Sequence, residues 1–267
     1  MSVVPEGIDP AIPSAARIYD YLLGGKDNFA SDRAAAEKLI ELTPNVREGV
    51  RANRRFLRRA VRFMAEQGIR QFLDVGAGLP TQENVHQVAL GADPDSRTVY
   101  VDNDPIVLTH GRALLAEDQR TIVVDGDLRE PEAVLDDPRV TKHLDFTRPV
   151  GVLLLAVLHF VPDDDLAERI VATLRGRLAP GSAVAISHLS FGDLDENSVR
   201  QGRELYTRTA AGSPTPRTHA QILRLFDGFE LVEPGLTTTE DWRPEANEPR
   251  LPKMPGVDGY SGVGLLR

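Results

Sequence analysis

Asp74, Asp102 and Asp127 each stand at or near the end of a short apolar run, and each is followed by residues that let the backbone turn. The first segment, FLDVGAGLPT over residues 72–81, places Asp74 near the end of its run and leads through Gly76, Ala77 and Gly78 into a helical pattern. Glycines at such a turn let a ligand come close to backbone N–H groups at a helix start, which is how comparable loops hold nucleotides. A carboxylate at that point suits a cation, such as the ammonium group of an amino acid. An ordinary strand-to-helix turn needs similar glycines, so the pair by itself is weak. The second segment, VYVDNDP, sets Asp102 and Asn103 about two dozen residues beyond Gly78, near the spacing at which an acid accepts from both ribose hydroxyls. Asp104 suits the cap of the helix that Pro105 opens. In VVDGDL, Asp127 can accept from an adenine amino group while the N–H of Leu128 meets a ring nitrogen, and Asp125 reads as structural. The run VLLLAVLHF ends around Ala156, whose carbonyl falls where strand order reverses and ligands bind in open α/β sheets.

Arg54 is a fourth point of interest. At helical spacing Val50, Leu57, Val61 and Met64 form one apolar stripe, and Arg51, Arg55, Arg58 and Arg62 share another face that reads as solvated. Arg54 falls beside the apolar stripe, where a guanidinium needs an anion. A ligand carboxylate and an internal acid are the two candidates. The loop GGKDN, residues 24–28, follows a short helix. A helix stop explains Gly24 and can account for Gly25. The polar residues after it could instead act on a ligand: if the N-terminal helices fold over the strand ends, Lys26, Asp27, Asn28 and Tyr19 are placed to close the site.

These residues need a scaffold, and the order of elements supplies one. Helical patterns cover residues 15–23, 32 to about Pro44, and 46–67. Apolar runs at 71–75, 98–101, 121–124, 150–155 and 183–187 then alternate with helical patterns at 81–90, 105–115 and 164–178. Such alternation predicts an α/β fold, a doubly wound and mostly parallel sheet. After a polar insertion at about 192–216 come a helix at 218–225 and two further strands, at 229–232 and 260–266. The expectation is seven strands with one antiparallel strand near the C-terminal edge, an N-terminal helical cap over 1–45, and a main domain over 46–267.

Composition narrows the chemistry. With no cysteine among 267 residues and six scattered histidines, no metal site is expected. A net charge of −9 disfavours nucleic acid as partner. Without a long apolar run or a basic leader, the expected address is the cytoplasm, away from membranes.

Acid-x-Gly-x-Gly after the first strand, an acid after the second, Gly-Asp after the third, and Leu178, Pro180 and Gly181 before the fifth resemble the class I, Rossmann-like methyltransferases. More narrowly, SAARIYDYLLGGKDNF, VRANRRFLRRAV, QFLDVGAGLPT, VYVDNDP and FELVEPGL followed by DWRP resemble one family of S-adenosylmethionine methyltransferases once catalogued only as a domain of unknown function. That resemblance runs nearly end to end. It implies S-adenosylmethionine as cofactor, S-adenosylhomocysteine as product, and a small-molecule acceptor whose identity the family does not supply. Methyl transfer is an in-line displacement that depends on alignment, with a base where the acceptor must lose a proton. His159, just after the fourth strand, is the candidate base, although a packed histidine bonded to a turn would look the same. His188 is a weaker candidate for that role, and Tyr206 with the insertion around it could shape the acceptor pocket. An NAD-dependent oxidoreductase would share the ribose acid, but Asp74, Thr81 in place of a third glycine, and the Gly-Asp after strand three argue against it. A cofactor-sensing module without catalysis is the rival of a different class.

Overall fold

The computed structural model describes residues 8–80, 83–114, 119–190, 196–207, 209, 211–246, 248 and 258–267, without the side chains of residues 114 and 258. Thr81, the start assigned to the fourth helical pattern, and parts of the 192–216 insertion and of the late Pro-rich loop lie outside the described residues.

Three helices open the chain: α1 (Ala15–Leu23), α2 (Ala30–Leu42) and α3 (Val46–Glu66). The alternating part follows as β1 (Gln71–Val75), α4 (Val85–Ala92), β2 (Arg97–Asp102), α5 (Pro105–Leu114), β3 (Thr121–Asp125), α6 (Pro131–Asp136), α7 (Pro138–His143), β4 (Gly151–Leu155), α8 (Asp164–Arg177) and β5 (Ala183–Ser190). The rest is α9 (Glu196–Tyr206), α10 (His219–Arg224), β6 (Glu230–Leu231), β7 (Thr237–Thr238) and β8 (Asp258–Leu265). The fold is a mixed α/β sheet in the order β3-β2-β1-β4-β5-β8-β6, parallel through β5, with β8 antiparallel to it. The short β7 also pairs with β8, bringing the described strands to eight where the sequence suggests seven. Two proline-started helices, α6 and α7, also escape the periodicity reading because each is only 6 residues long.

Strand alternation explains why helices cover both faces. Phe72, Leu153 and Leu155 point to the face packed by Phe56, Ala60 and Met64 of α3 and by α4, whereas Leu73, Val152 and Leu154 point to the face packed by α6, α8 and α10. The Arg face of α3 is solvated only in part: Arg51 and Arg62 stay about half exposed, whereas Arg55 and Arg58 are largely covered. Arg55 pairs with Glu240, Arg58 with Glu83, Glu245 and Glu248, Arg59 with Glu248, and Arg62 with Glu245. These ties draw residues 239–246 and 248 onto α3, where the fully buried Trp242 packs edge-on against Phe56 and Phe63. Helical periodicity cannot foresee a covering segment some 180 residues away. No helix among the described residues is long and apolar enough to cross a membrane.

Candidate functional site

A cavity of about 1130 Å³ opens over the carboxyl ends of β1, β2 and β4 and is roofed by α1, α2, α3 and α9. Asp74, Gly76, Ala77, Gly78, Asp102, Asn103, Ala156, Arg54, Tyr19 and His159 all line it. Asp127 and Leu128 do not, and neither do Lys26 and Asn28.

Asp74 is the penultimate residue of β1 and is buried. Burial lifts its carboxyl to about 7, with Arg54 lowering it and Asp102 adding repulsion. Arg54 donates through Nη2 to the Glu83 carbonyl at 2.9 Å and to Asn84 Oδ1 at 3.4 Å, so a guanidinium and a carboxylate share one wall. Asp102 is also lifted by burial, to about 6. Its Oδ2 accepts from the N–H of Gly78 at 2.8 Å and its Oδ1 from the N–H of Asp104 at 2.9 Å. A carboxylate has about four acceptor positions, so capacity remains for a ligand hydroxyl. Gly76 has φ +77°, and a Cβ there would run into Val157 at 2.3 Å. Its role is thus to let β1 turn beneath the β4 loop. Gly78, at φ +67°, has open space where a side chain would stand.

Asp104 plays the capping part, its Oδ1 accepting from the N–H of Ile106, and it also receives the Ser14 hydroxyl from the start of α1. Asp127 is committed elsewhere: Arg129 grips both of its oxygens and Asn103 reaches it at 3.3 Å. Asn28 is bonded to Asp20 and to the Gly25 carbonyl.

A polar chain that the sequence did not reveal ties the helical roof to the sheet. The N–H of Ala156 donates to Ser187 Oγ at 2.9 Å, Ser187 donates to Asn53 Oδ1 at 2.6 Å, Asn53 Nδ2 donates to Tyr19 at 3.0 Å, and the Tyr19 hydroxyl donates to the Val50 carbonyl at 3.2 Å. Ala156 itself has φ +54°, a conformation that costs a non-glycine residue roughly 1–2 kcal/mol. The bond to Ser187 helps hold it there.

His159 sits in a 3₁₀ turn, Leu158–Phe160, directly after β4. It is buried, and its Nδ1 has no hydrogen bond among the described residues. Burial, then the nearby His188 and Arg217, push its pKa well below the usual histidine value, so the ring is neutral. The two histidine rings meet edge-on at 5.6 Å. His188 Nδ1 donates to the Leu189 carbonyl, and its Nε2 accepts from Arg217 at 2.9 Å, which fixes a neutral tautomer. Burial takes His188 down to about 4. Arg217 is the organiser of this corner: it also bonds the carbonyls of Leu158 and Val161 and the Asp164 carboxylate. Nothing in the local sequence PTPRTH signals that role, because its partners lie about 30 to 60 residues away.

Comparison with known proteins is consistent with this geometry. The sequence profile of a family described as S-adenosyl methyltransferase matches residues 2–267. A crystal structure from Thermobifida fusca YX, described as that of a candidate methyltransferase, is 42% identical, covers 100% of both chains and has a TM-score of 0.89. A DUF574 family protein of Streptomyces avermitilis MA-4680 is 39% identical over 97% of this chain and 99% of its own, with a TM-score of 0.87. An O-methyltransferase family protein of Burkholderia thailandensis, 12% identical over 92% of this chain and 63% of its own with a TM-score of 0.51, shares the fold alone. No curated protein sequence matches this chain. With a family profile matched over almost its whole length and two close structural relatives, the chain belongs to the S-adenosyl methyltransferase family.

Proposed function

We propose that this protein transfers a methyl group from S-adenosylmethionine to a small-molecule acceptor. The observation that carries the reading is one cavity that holds both a zwitterion-matching wall and a ribose-matching acid, with further room beside them. Asp74 and Arg54 match the ammonium and carboxylate of the cofactor's amino-acid end, and Asp102 has acceptor capacity for the ribose. The cavity exceeds the roughly 300–1,000 Å³ of a pocket for one small ligand, so a second molecule fits beside the cofactor. When bound, S-adenosylmethionine supplies an electrophilic methyl group on a charged sulfur, which keeps the bonding electron pair as the methyl leaves for the acceptor.

The chain's own residues hold and align. Tyr19, Asn53 and Ser187 fix the roof against the β4 end, and alignment of this kind is the main protein contribution to such a displacement. His159, neutral and lining the cavity, is the group that would take a proton from the acceptor. The rival reading, a cofactor-binding module without catalysis, draws on one observation: Nδ1 of His159 has no partner among the described residues to orient the ring as a base. Calorimetry with S-adenosylmethionine, S-adenosylhomocysteine and NAD tests the cofactor assignment. Micromolar binding of the first two that Asp102→Ala abolishes is the expected result. Preference for NAD, or no binding, would sink it.

A further inference from the structure

The GGKDN loop does not close over the cavity; it builds the surroundings of a buried acid. Asp20, on α1, lines the cavity yet is only 3% exposed. Its Oδ2 accepts from the N–H of Asp27 at 3.0 Å and from Asn28 Nδ2 at 2.8 Å. Its Oδ1 receives no hydrogen bond among the described residues. Gly25 is tied to the same carboxylate, since a Cβ at that position would lie 1.9 Å from Oδ1 and displace it. The loop therefore satisfies one carboxylate oxygen and leaves the other, packed against Gly25, without a donor among the described residues, on an acid that forms part of the cavity wall. A buried carboxylate with an open oxygen calls for a cation or a donor.

The rest of that wall points the same way. Among the described residues that line the cavity Arg54 is the one Lys or Arg, whereas Glu48, Glu240, Asp241 and Glu248 line it together with Asp74, Asp102 and Asp104. Glu240 and Glu248 are already paired with Arg55, Arg58 and Arg59 outside the lining. Phe160 and Tyr206, ring centroids 5.7 Å apart, and Tyr19 supply aromatic surface of the kind that attracts organic cations.

We infer that the acceptor is an organic cation bearing an aromatic or apolar body, and that Asp20 binds its ammonium group. The inference takes from the methyltransferase reading only the name acceptor; cation binding stands on Asp20. An ammonium held in its charged form has no lone pair, so it serves as a handle and another atom of the same molecule takes the methyl group.

Phenethylamine, 2-phenylethanol and 3-phenylpropionate place a positive, neutral and negative group on the same arm and serve as probes. Each is titrated by calorimetry into the protein, alone and loaded with S-adenosylhomocysteine. The expected order is amine over alcohol over acid, with about a tenfold gap between the first two, the factor that one charge-assisted hydrogen bond carries. Asp20→Asn should erase that gap while S-adenosylhomocysteine binds as before. The inference is overturned if the alcohol or the acid binds as well as the amine, if none binds, if Asp20→Asn keeps the gap, or if that variant loses S-adenosylhomocysteine instead. Should Asp20→Asn fail to fold, the charge series on the unaltered protein decides. Absence of S-adenosylhomocysteine binding with the amine preference intact would count against the cofactor reading alone.

Discussion

At the scale of single residues, the acids beneath the cavity are held against their own ionisation. Asp74 keeps its proton to about pH 7 and Asp102 to about 6, in both cases because burial outweighs the groups that favour the charged form. The folded value lies above the unfolded 3.8, so the folded chain binds the proton more tightly, and stability is lost as pH rises from about 4 through about 7. For Asp74 that interval corresponds to about 4 kcal/mol. A cationic ligand group reverses the preference. Binding of S-adenosylmethionine at neutral pH should therefore release protons and weaken as pH falls below about 7. Calorimetry in buffers of different ionisation enthalpy reads both effects, and Asp74→Asn should raise the melting temperature of the free protein above pH 7 while weakening the cofactor. A free protein that gains stability between pH 5 and 8 from these groups would contradict the assignment.

Among elements, the corner formed by the 3₁₀ turn, the end of β5 and the start of α8 hangs on Arg217. It is 2% exposed and bonds three carbonyls, a histidine nitrogen and the Asp164 carboxylate. Removing one partner of a buried charged network leaves the others unsatisfied and costs about 3–5 kcal/mol. Arg217→Met should lose that much in urea unfolding and should also disorder His159, visible as a changed ring signal in NMR. A loss of stability with an unchanged His159 environment would show that the turn stands without Arg217. The roof is coupled differently, through neutral hydrogen bonds from Asn53 to Tyr19 and from Ser187 to Asn53. Such bonds are worth about 1 kcal/mol each.

Across the whole molecule, the segment bearing Trp242 belts the sheet domain and supplies part of the cavity wall. Its anchor is one large side chain buried between Phe56 and Phe63, surrounded by the arginines of α3 and the glutamates they pair with. Large-to-small changes at such positions typically cost about 3–5 kcal/mol. Trp242→Ala should fall in that range by urea unfolding, while single charge removals at the exposed Arg62 should cost under about 1 kcal/mol. If the two effects are similar in size, the belt is held by charge and not by packing.

The sequence by itself determined the sheet and the placement of acids on it. Buried strands must alternate or run apolar, and turns after them need particular residues, so β1 and β5 begin where the apolar runs do, and Asp74, Asp102, Gly76, Gly78 and Ala156 lie at the strand ends where the patterns place them. Arg54 was legible as inward-facing because helical periodicity fixes its side of α3. What remained illegible depends on contacts between distant segments. Only the folded chain joins Arg217 to His188, Asn53 to Ser187, and the arginines of α3 to Glu240, Glu245 and Glu248. The same is true of what sets Asp127 and Asn28 away from the cavity and Asp20 into it: local pattern identifies a side chain's chemistry, but burial and partners, which decide its use, are properties of the tertiary packing.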